Sequence, residues 1–215
     1  MRVTRVGAFI LAAVGGAATA TGQTVTINFD TDTAGSTVAS GTVVDTLYAA
    51  WGVTFTHVGP GSCSAGDHVY ANDDQPSGFG SPPNVVSTCA PPIASDISEN
   101  LTGGFVQASF AQDANRVCID VLPDFSTHHA VLNAYDAGNN PIGSVTSADG
   151  VTQTLCFSGA GIRSVRFSGD GDLYARFDDL TVTFTQEIPL SSRPALALLA
   201  VALAAVALWS LRRSA

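Results

Sequence analysis

The sequence predicts an all-β protein, an antiparallel β-sandwich flanked by an N-terminal signal peptide and a C-terminal transmembrane helix. Three observations predict it. Residues 24 to 184 carry short runs in which apolar and polar residues alternate, the signature of half-buried strands. Turn-forming clusters such as "GPG", "DDQPSGFGSPP", "DAGNNP" and "GDGD" separate those runs. Helical periodicity is almost absent between the two apolar ends, and many short strands in one domain argue a sandwich, with a closed barrel as the alternative.

The elements follow in chain order. Residues 1–20 open with Arg2 and Arg5, continue through an apolar stretch from Val6 to Val14, and end on Ala18-Thr19-Ala20. That order is a secretory signal peptide, with cleavage expected after Ala20. The body, residues 23–186, begins with "TVTINFD", which puts Val25, Ile27 and Phe29 on one face and Thr26, Asn28 and Asp30 on the other. Further runs are "WGVTFTHV", "FVQASF", "RVCIDV", "AVLNAYD", "TQTLCF", "IRSVRF" and "DLTVTF", each read as a separate strand. Residues 56 to 104 form the longest irregular stretch, and a loop of that length calls for a staple. Residues 187–194 form a linker. From Ala195 to Leu211 only Ser210 interrupts Ala, Leu, Val and one Trp. Seventeen residues at about 1.5 Å each give roughly 25 Å, near the lower limit for a membrane span. Arg212 and Arg213 in the basic end, residues 212–215, follow the positive-inside rule and leave the body outside the membrane.

Four cysteines in an exported chain predict two disulfides. Cys63 and Cys89 both lie in turn-rich sequence, whereas Cys118 and Cys156 sit in strands on the polar face. The pairing Cys63–Cys89 and Cys118–Cys156 follows, each bridge contributing roughly 3–4 kcal/mol by loop-closure entropy. A zinc site is the alternative, but no CxxC or paired-His spacing supports it.

Charge narrows the function. The chain has no lysine, and the body's basic residues are Arg116, Arg163, Arg166 and Arg176, against all but one of the chain's 18 acidic residues. Such a body repels nucleic acid and anionic lipid and suits neutral ligands or divalent cations. No GxSxG elbow, HExxH or phosphate-binding glycine loop is present, so a non-enzymatic protein is expected. His128-His129 beside Asp124 lacks a nucleophile that could be paired with it, and a glycan hydrolase is the enzymatic alternative.

The tail carries a resemblance. Ile188-Pro189-Leu190-Ser191, an Ala/Leu-rich helix and terminal Arg212-Arg213 resemble the bacterial PEP-CTERM class of sorting signals, nearest to its IPTL variant. The sequence departs from that class in lacking Pro-Glu-Pro and in placing Leu190-Ser191 where the variant has Thr-Leu. The resemblance implies a temporary membrane anchor, an exosortase-type processing protease as partner, and delivery to the cell surface or extracellular matrix. The body, through "INFD", "YAAWGVTF", "PPNVVS", "AVLNAYDAGNNPIGS", "GIRSVRFSG" and "FDDLTVTF", is similar to the galactose-binding-like jelly rolls found ahead of such tails.

Two sets of candidate site residues emerge. Termini of sandwich domains often meet, which would bring Asp30 and Asp32 to Asp178 and Asp179. Phe177 lies out of phase with Leu180, Val182 and Phe184, so the last strand is expected to bulge at the carboxylates. Clustered oxygen ligands suit calcium, and the jelly-roll resemblance implies a structural calcium held by Asp30 and Asp179. "NFDTDTAGS" itself fails as an EF-hand, with Thr33 at the glycine position and Ala39 at that of the bidentate Glu. For sugar stacking, Tyr70, Phe79 and Phe125 lie in predicted loops with His68, Asp73, Asp74 and Asn84 near the first two, while Trp51 is assigned to the core. The expected function is a carbohydrate-interacting surface or matrix module whose partner is extracellular polysaccharide. A passive structural or adhesive protein is the alternative.

Overall fold

The computed structural model describes residues 22–59, 68–91, 97 and 104–185. The predicted signal peptide, the sorting motif at Ile188, Pro189 and Leu190, the membrane helix, Arg212, Arg213 and Cys63 lie outside the described residues. Among the described residues nine strands are present: β1 (Thr24–Ile27), β2 (Val53–Val58), β3 (Tyr70–Asn72), β4 (Val85–Ser87), β5 (Phe105–Pro123), β6 (Ala130–Tyr135), β7 (Pro141–Thr146), β8 (Gln153–Gly169) and β9 (Ala175–Phe184). A 3-10 turn, η1 (Ala49–Trp51), precedes β2. Every pairing between these strands is antiparallel.

The strands form one hydrogen-bonded network bent into two layers, and β5 and β8 belong to both. The first part of β5 lies between β2 and the last part of β8, with Phe55 opposite Ala108 and Gln107 opposite Arg166. β6 and β7 extend that layer beyond β8. The second part of β5 lies between the first part of β8 and β9, with Cys118 opposite both Cys156 and Thr181. β1 and β4 pair with the far side of β9. Register breaks between Ser109 and Arg116 mark the corner. Extra residues on each strand let the ladder turn from one layer into the other instead of ending, which is how strands switch sheets in a sandwich.

This corrects the element count read from sequence. "FVQASF" and "RVCIDV" are one 19-residue strand, and "TQTLCF" and "IRSVRF" are one of 17. The intervening "AQDAN" and "SGAG" read as loops because their alternation lapses, yet they are bulged strand. Gly161, at φ +73, supplies a left-handed residue there. The presumed loop 56–104 also contributes β3 and β4.

The core lies between the layers. Phe167 of the first layer meets Phe177 of the second at 5.0 Å between ring centroids, and Phe110 meets Phe184 at 6.1 Å. Ile119, Leu132, Val165, Phe167, Phe177, Leu180 and Val182 are all fully buried. At about 1.5–3 kcal/mol for each large apolar side chain, this burial is the main force holding the layers together.

Cys118 and Cys156 are joined, as their strand positions predicted. Arg116 lies over the bridge, its Nε donating to Cys118 Sγ at 3.3 Å. Cys89 is also disulfide-bonded; its predicted partner lies outside the described residues. Replacing Cys118 and Cys156 together by alanine is expected to lower the unfolding free energy by about 3–4 kcal/mol. Urea titration followed by tryptophan fluorescence measures it, and an unchanged midpoint would show that the ladder alone fixes this register.

Candidate functional site

The first and last strands pair, Thr24 opposite Thr183 and Ile27 opposite Leu180. Asp30 therefore comes beside Asp178 and Asp179, and the bulge expected in β9 is present. Three residues of β5, from Cys118 to Asp120, oppose four of β9, from Thr181 to Asp178. Asp179 and Phe29 both adopt left-handed backbone, at φ 48 and 55, which costs about 1–2 kcal/mol for each L-residue.

The oxygens gathered there are already engaged. Asp178 Oδ2 accepts from the Ser81 N–H at 2.8 Å and Gln75 Nε2 at 3.0 Å, and Oδ1 accepts from the Asp179 N–H. Ser81 Oγ donates to Asp179 Oδ1 at 3.0 Å, and the Asn84 N–H to Asp30 Oδ1 at 2.7 Å. Asp32 turns away, accepting from the Ala34 and Ser36 N–H groups in its own turn. Gly80 lies so close that a Cβ there would overlap the Asp178 carboxylate. The carboxylates thus hold the 75–84 loop against the junction of β1 and β9. Among the described residues no group of three or more His, Cys, Asp or Glu side chains is placed to hold a metal ion.

Burial, with the charge of Asp179 next in effect, pushes the Asp178 carboxyl up to about 8. Burial likewise raises Asp179, with Asp120 and Asp30 adding to it. Tyr48, its hydroxyl buried without a hydrogen-bond partner, is raised first by burial and then by Asp30.

The predicted sugar-stacking residues do not converge. Tyr70 is a buried residue of β3, not a loop residue, and Phe79 is buried beneath the loop, 3% exposed. Both were placed in loops because turn-forming neighbours hide their inward phase, and neither presents an open ring face. Phe125 is 60% exposed. It packs edge-on against His128 at 4.8 Å, at a separate position, and the His128 ring also faces Tyr174.

The more developed surface is the outer face of the first layer. Register sets Thr56, Gln107, Arg166, Asn133 and Ser144 side by side across five strands. Thr54, Ser109, Ser164 and Tyr135 form the neighbouring row by the same pairings. Arg166 is fixed from three sides: Nε donates to Gln107 Oε1 at 2.8 Å, Nη2 to Asn139 Oδ1 at 3.0 Å, and the guanidinium lies 4.5 Å from the Tyr135 ring centre. Gln107 also donates to Ser109 Oγ.

Gln107, Ser109, Asn139, Ser164 and Arg166 border a cleft of about 480 Å³ that also takes in Asp136 and Arg163. The side-chain amide of Asn140 chiefly holds Asp136 below the ordinary carboxylate range. A second depression of about 330 Å³ shares Ser109 and Phe110 with the first, and a third of about 370 Å³ shares Ala49, Gly52 and Ala111 with the second. Together they make a groove from the β6–β7 turn to Trp51. Half-buried Trp51 stacks on Tyr48 at 5.8 Å and lines the far end, so it serves the core and the groove together. Alternation could have placed Gln107, Asn133 and Arg166 on outer faces; only register aligns them.

No family model matches the chain, and no curated protein matches it. Solved structures give remote likenesses. One is the Clostridium thermocellum endo-1,4-beta-D-xylanase 10B fragment with its CBM22-1 and GH10 modules, at TM-score 0.38 and 10% identity, covering 75% of this chain and 28% of that one. Another is the enzymatically active domain of bacteriophage CBA120 tailspike protein 4, at TM-score 0.33 and 9% identity over 62% and 19%. A third is a family 29 carbohydrate-binding module, at TM-score 0.29 and 11% identity over 77% and 99%. The chain spans little more than a quarter of the first of these, and none reaches a TM-score of 0.5; the functional reading rests on the residues of the groove.

The carboxylate cluster generates a prediction. Asp178 keeps its proton in the folded state up to about pH 8, whereas an unfolded chain releases it near 4. The folded state then binds more protons across that window, so stability falls as pH rises from about 4 to 8, by at most about 1.4 kcal/mol per pH unit. Asp178→Asn should flatten that slope in melting temperatures taken at pH 5, 6, 7 and 8. A slope unchanged in the variant would assign the effect to other groups.

Proposed function

We propose that the protein is a non-enzymatic, exported surface or matrix protein whose β-sandwich binds polysaccharide along the groove between Arg166 and Trp51. The carrying observation is the groove itself: three adjoining depressions that run from the outer face of the first layer to η1 and the corner of β5, with fixed planar hydrogen-bonding groups at one end and an indole at the other. Sugars offer hydroxyls to planar amides and guanidinium groups, and apolar ring faces to aromatics. An elongated groove accommodates several linked residues of a polymer.

Asp136 is the one carboxylate among the described residues that line the three depressions. Glycoside hydrolysis ordinarily needs two, about 5–9.5 Å apart, which supports a binding role over cleavage. Export by the signal peptide, transient anchoring by the C-terminal helix and release by an exosortase-type protease complete the proposal. They rest on the terminal sequence. A structural or adhesive protein without a ligand is the second reading; β7, at the sheet edge with Ile142 38% exposed, favours it by offering a strand for self-pairing.

Affinity electrophoresis of the full-length protein through gels cast with neutral and acidic soluble polysaccharides tests the reading. At least one polymer should retard the protein. Trp51→Ala and Gln107→Ala should each weaken that retardation by about tenfold, with melting temperatures checking that both variants fold. Absence of retardation by every polymer, with self-association at rising concentration, would establish the second reading instead. Separately, intact mass of the protein recovered from its native host should lack the terminal helix; a full-length mass in all material would remove the processing step.

A further inference from the structure

The acidic body argues for neutral ligands, yet two of its four arginines line the first depression of the groove. They are held differently. Arg163 has a carboxylate partner, Asp113, at 3.4 Å. Arg176 of the second layer lies near Asp74 and Asp124, at 3.5 and 3.6 Å. Among the described residues, half-buried Arg166 bonds to neutral groups, the Gln107 and Asn139 amide oxygens and the Tyr135 ring, while Asp136 lines the same depression without a hydrogen bond to it. Two of its five N–H groups are used, and those on Nη1 have no partner among the described residues.

Removing a guanidinium from water without a counter-charge is costly, and surface carboxylates are abundant in this chain. Even so, the side chain is locked in place by neutral acceptors and keeps donors directed by a planar fork. That combination suits a carboxylate, which a guanidinium binds with two parallel hydrogen bonds. Ser109 and Ser164 stand in the adjoining row with hydroxyls that match sugar oxygens.

We propose that Arg166 pairs with a carboxylate on the bound glycan, so that the groove takes a uronic-acid-containing polysaccharide in preference to a neutral one. The inference rests on the glycan-binding reading of the groove and adds the ligand class to it.

The test uses the full-length protein and three polyuronates (polygalacturonate, alginate and hyaluronate), each beside its carboxyl-reduced derivative. At least one polyuronate should bind about tenfold or more tightly than its reduced form, the scale of a charge-assisted hydrogen bond. Arg166→Gln should abolish that difference while leaving the weaker binding of the reduced polymer intact. Arg166→Lys, which keeps the charge and loses the fork, should recover only part of it. Equal binding of each polyuronate and its reduced form overturns the carboxylate inference and leaves the glycan reading standing. No binding to any of the six overturns the carboxylate inference, and the glycan reading is then decided by the wider set of polysaccharides in the electrophoresis. Equal binding of polyglutamate would show that charge alone is read, and would also overturn it. Should Arg166→Gln fail to fold, the wild-type comparison of each polymer with its reduced form decides.

Discussion

The continuous ladder between β5 and β8 is the interaction on which the rest of the structure depends. It runs from Val106 opposite Phe167, through the bulged corner, to Val121 opposite Gln153. Because the same two strands serve both layers, the register of one layer sets that of the other. Cys118 faces Cys156 only if Gln107 faces Arg166, apart from the residues absorbed at the corner. A single-residue slip would turn Val117, Ile119, Val165 and Phe167 away from the core. Burial therefore specifies the alignment, and the disulfide holds it.

Much of this was legible in sequence. The alternation in "RVCIDV" and "TQTLCF" placed both cysteines on the outer face, and two cysteines in that phase on neighbouring strands identify a cross-strand bridge. The phase change between Phe177 and Leu180 located the bulge in β9, because a period-two pattern that skips a beat has one extra residue. The continuity of β5 and β8 was not legible. "AQDAN" and "SGAG" bury little and lose their alternation where the ladder turns, so local pattern takes them for loops. Tyr70 and Phe79 misled for a related reason: turn-rich neighbours signal a loop but say nothing about which way a ring points. The groove was least visible of all. Its residues come from η1, β2, β5, β8 and the turn after β6, and only long-range pairing brings them together.

The two polar regions show opposite uses of the same chemistry. At the junction of β1 and β9, carboxylates are drawn into the fold and their acceptors filled by Ser81, Gln75 and Asn84. Burying them is costly, and one carboxyl keeps its proton as a result. On the face of the first layer, donors and acceptors are held in fixed positions by their neighbours but not consumed. A polar group with all its partners inside the chain contributes to architecture; one held rigid with donors to spare is equipped to meet something outside.

The position of β9 has a mechanical meaning. The last described strand is flanked on both sides, by β5 along one edge and by β1 and β4 along the other. Tension applied beyond Thr185, in the direction of the strand, acts on the β1 and β5 ladders in shear, with many hydrogen bonds resisting together. Peeling would instead break them one after another. The first and last described strands, Thr24 beside Thr183, brace each other against that pull. A pull on the C-terminal side of the body would therefore load paired strands along their length.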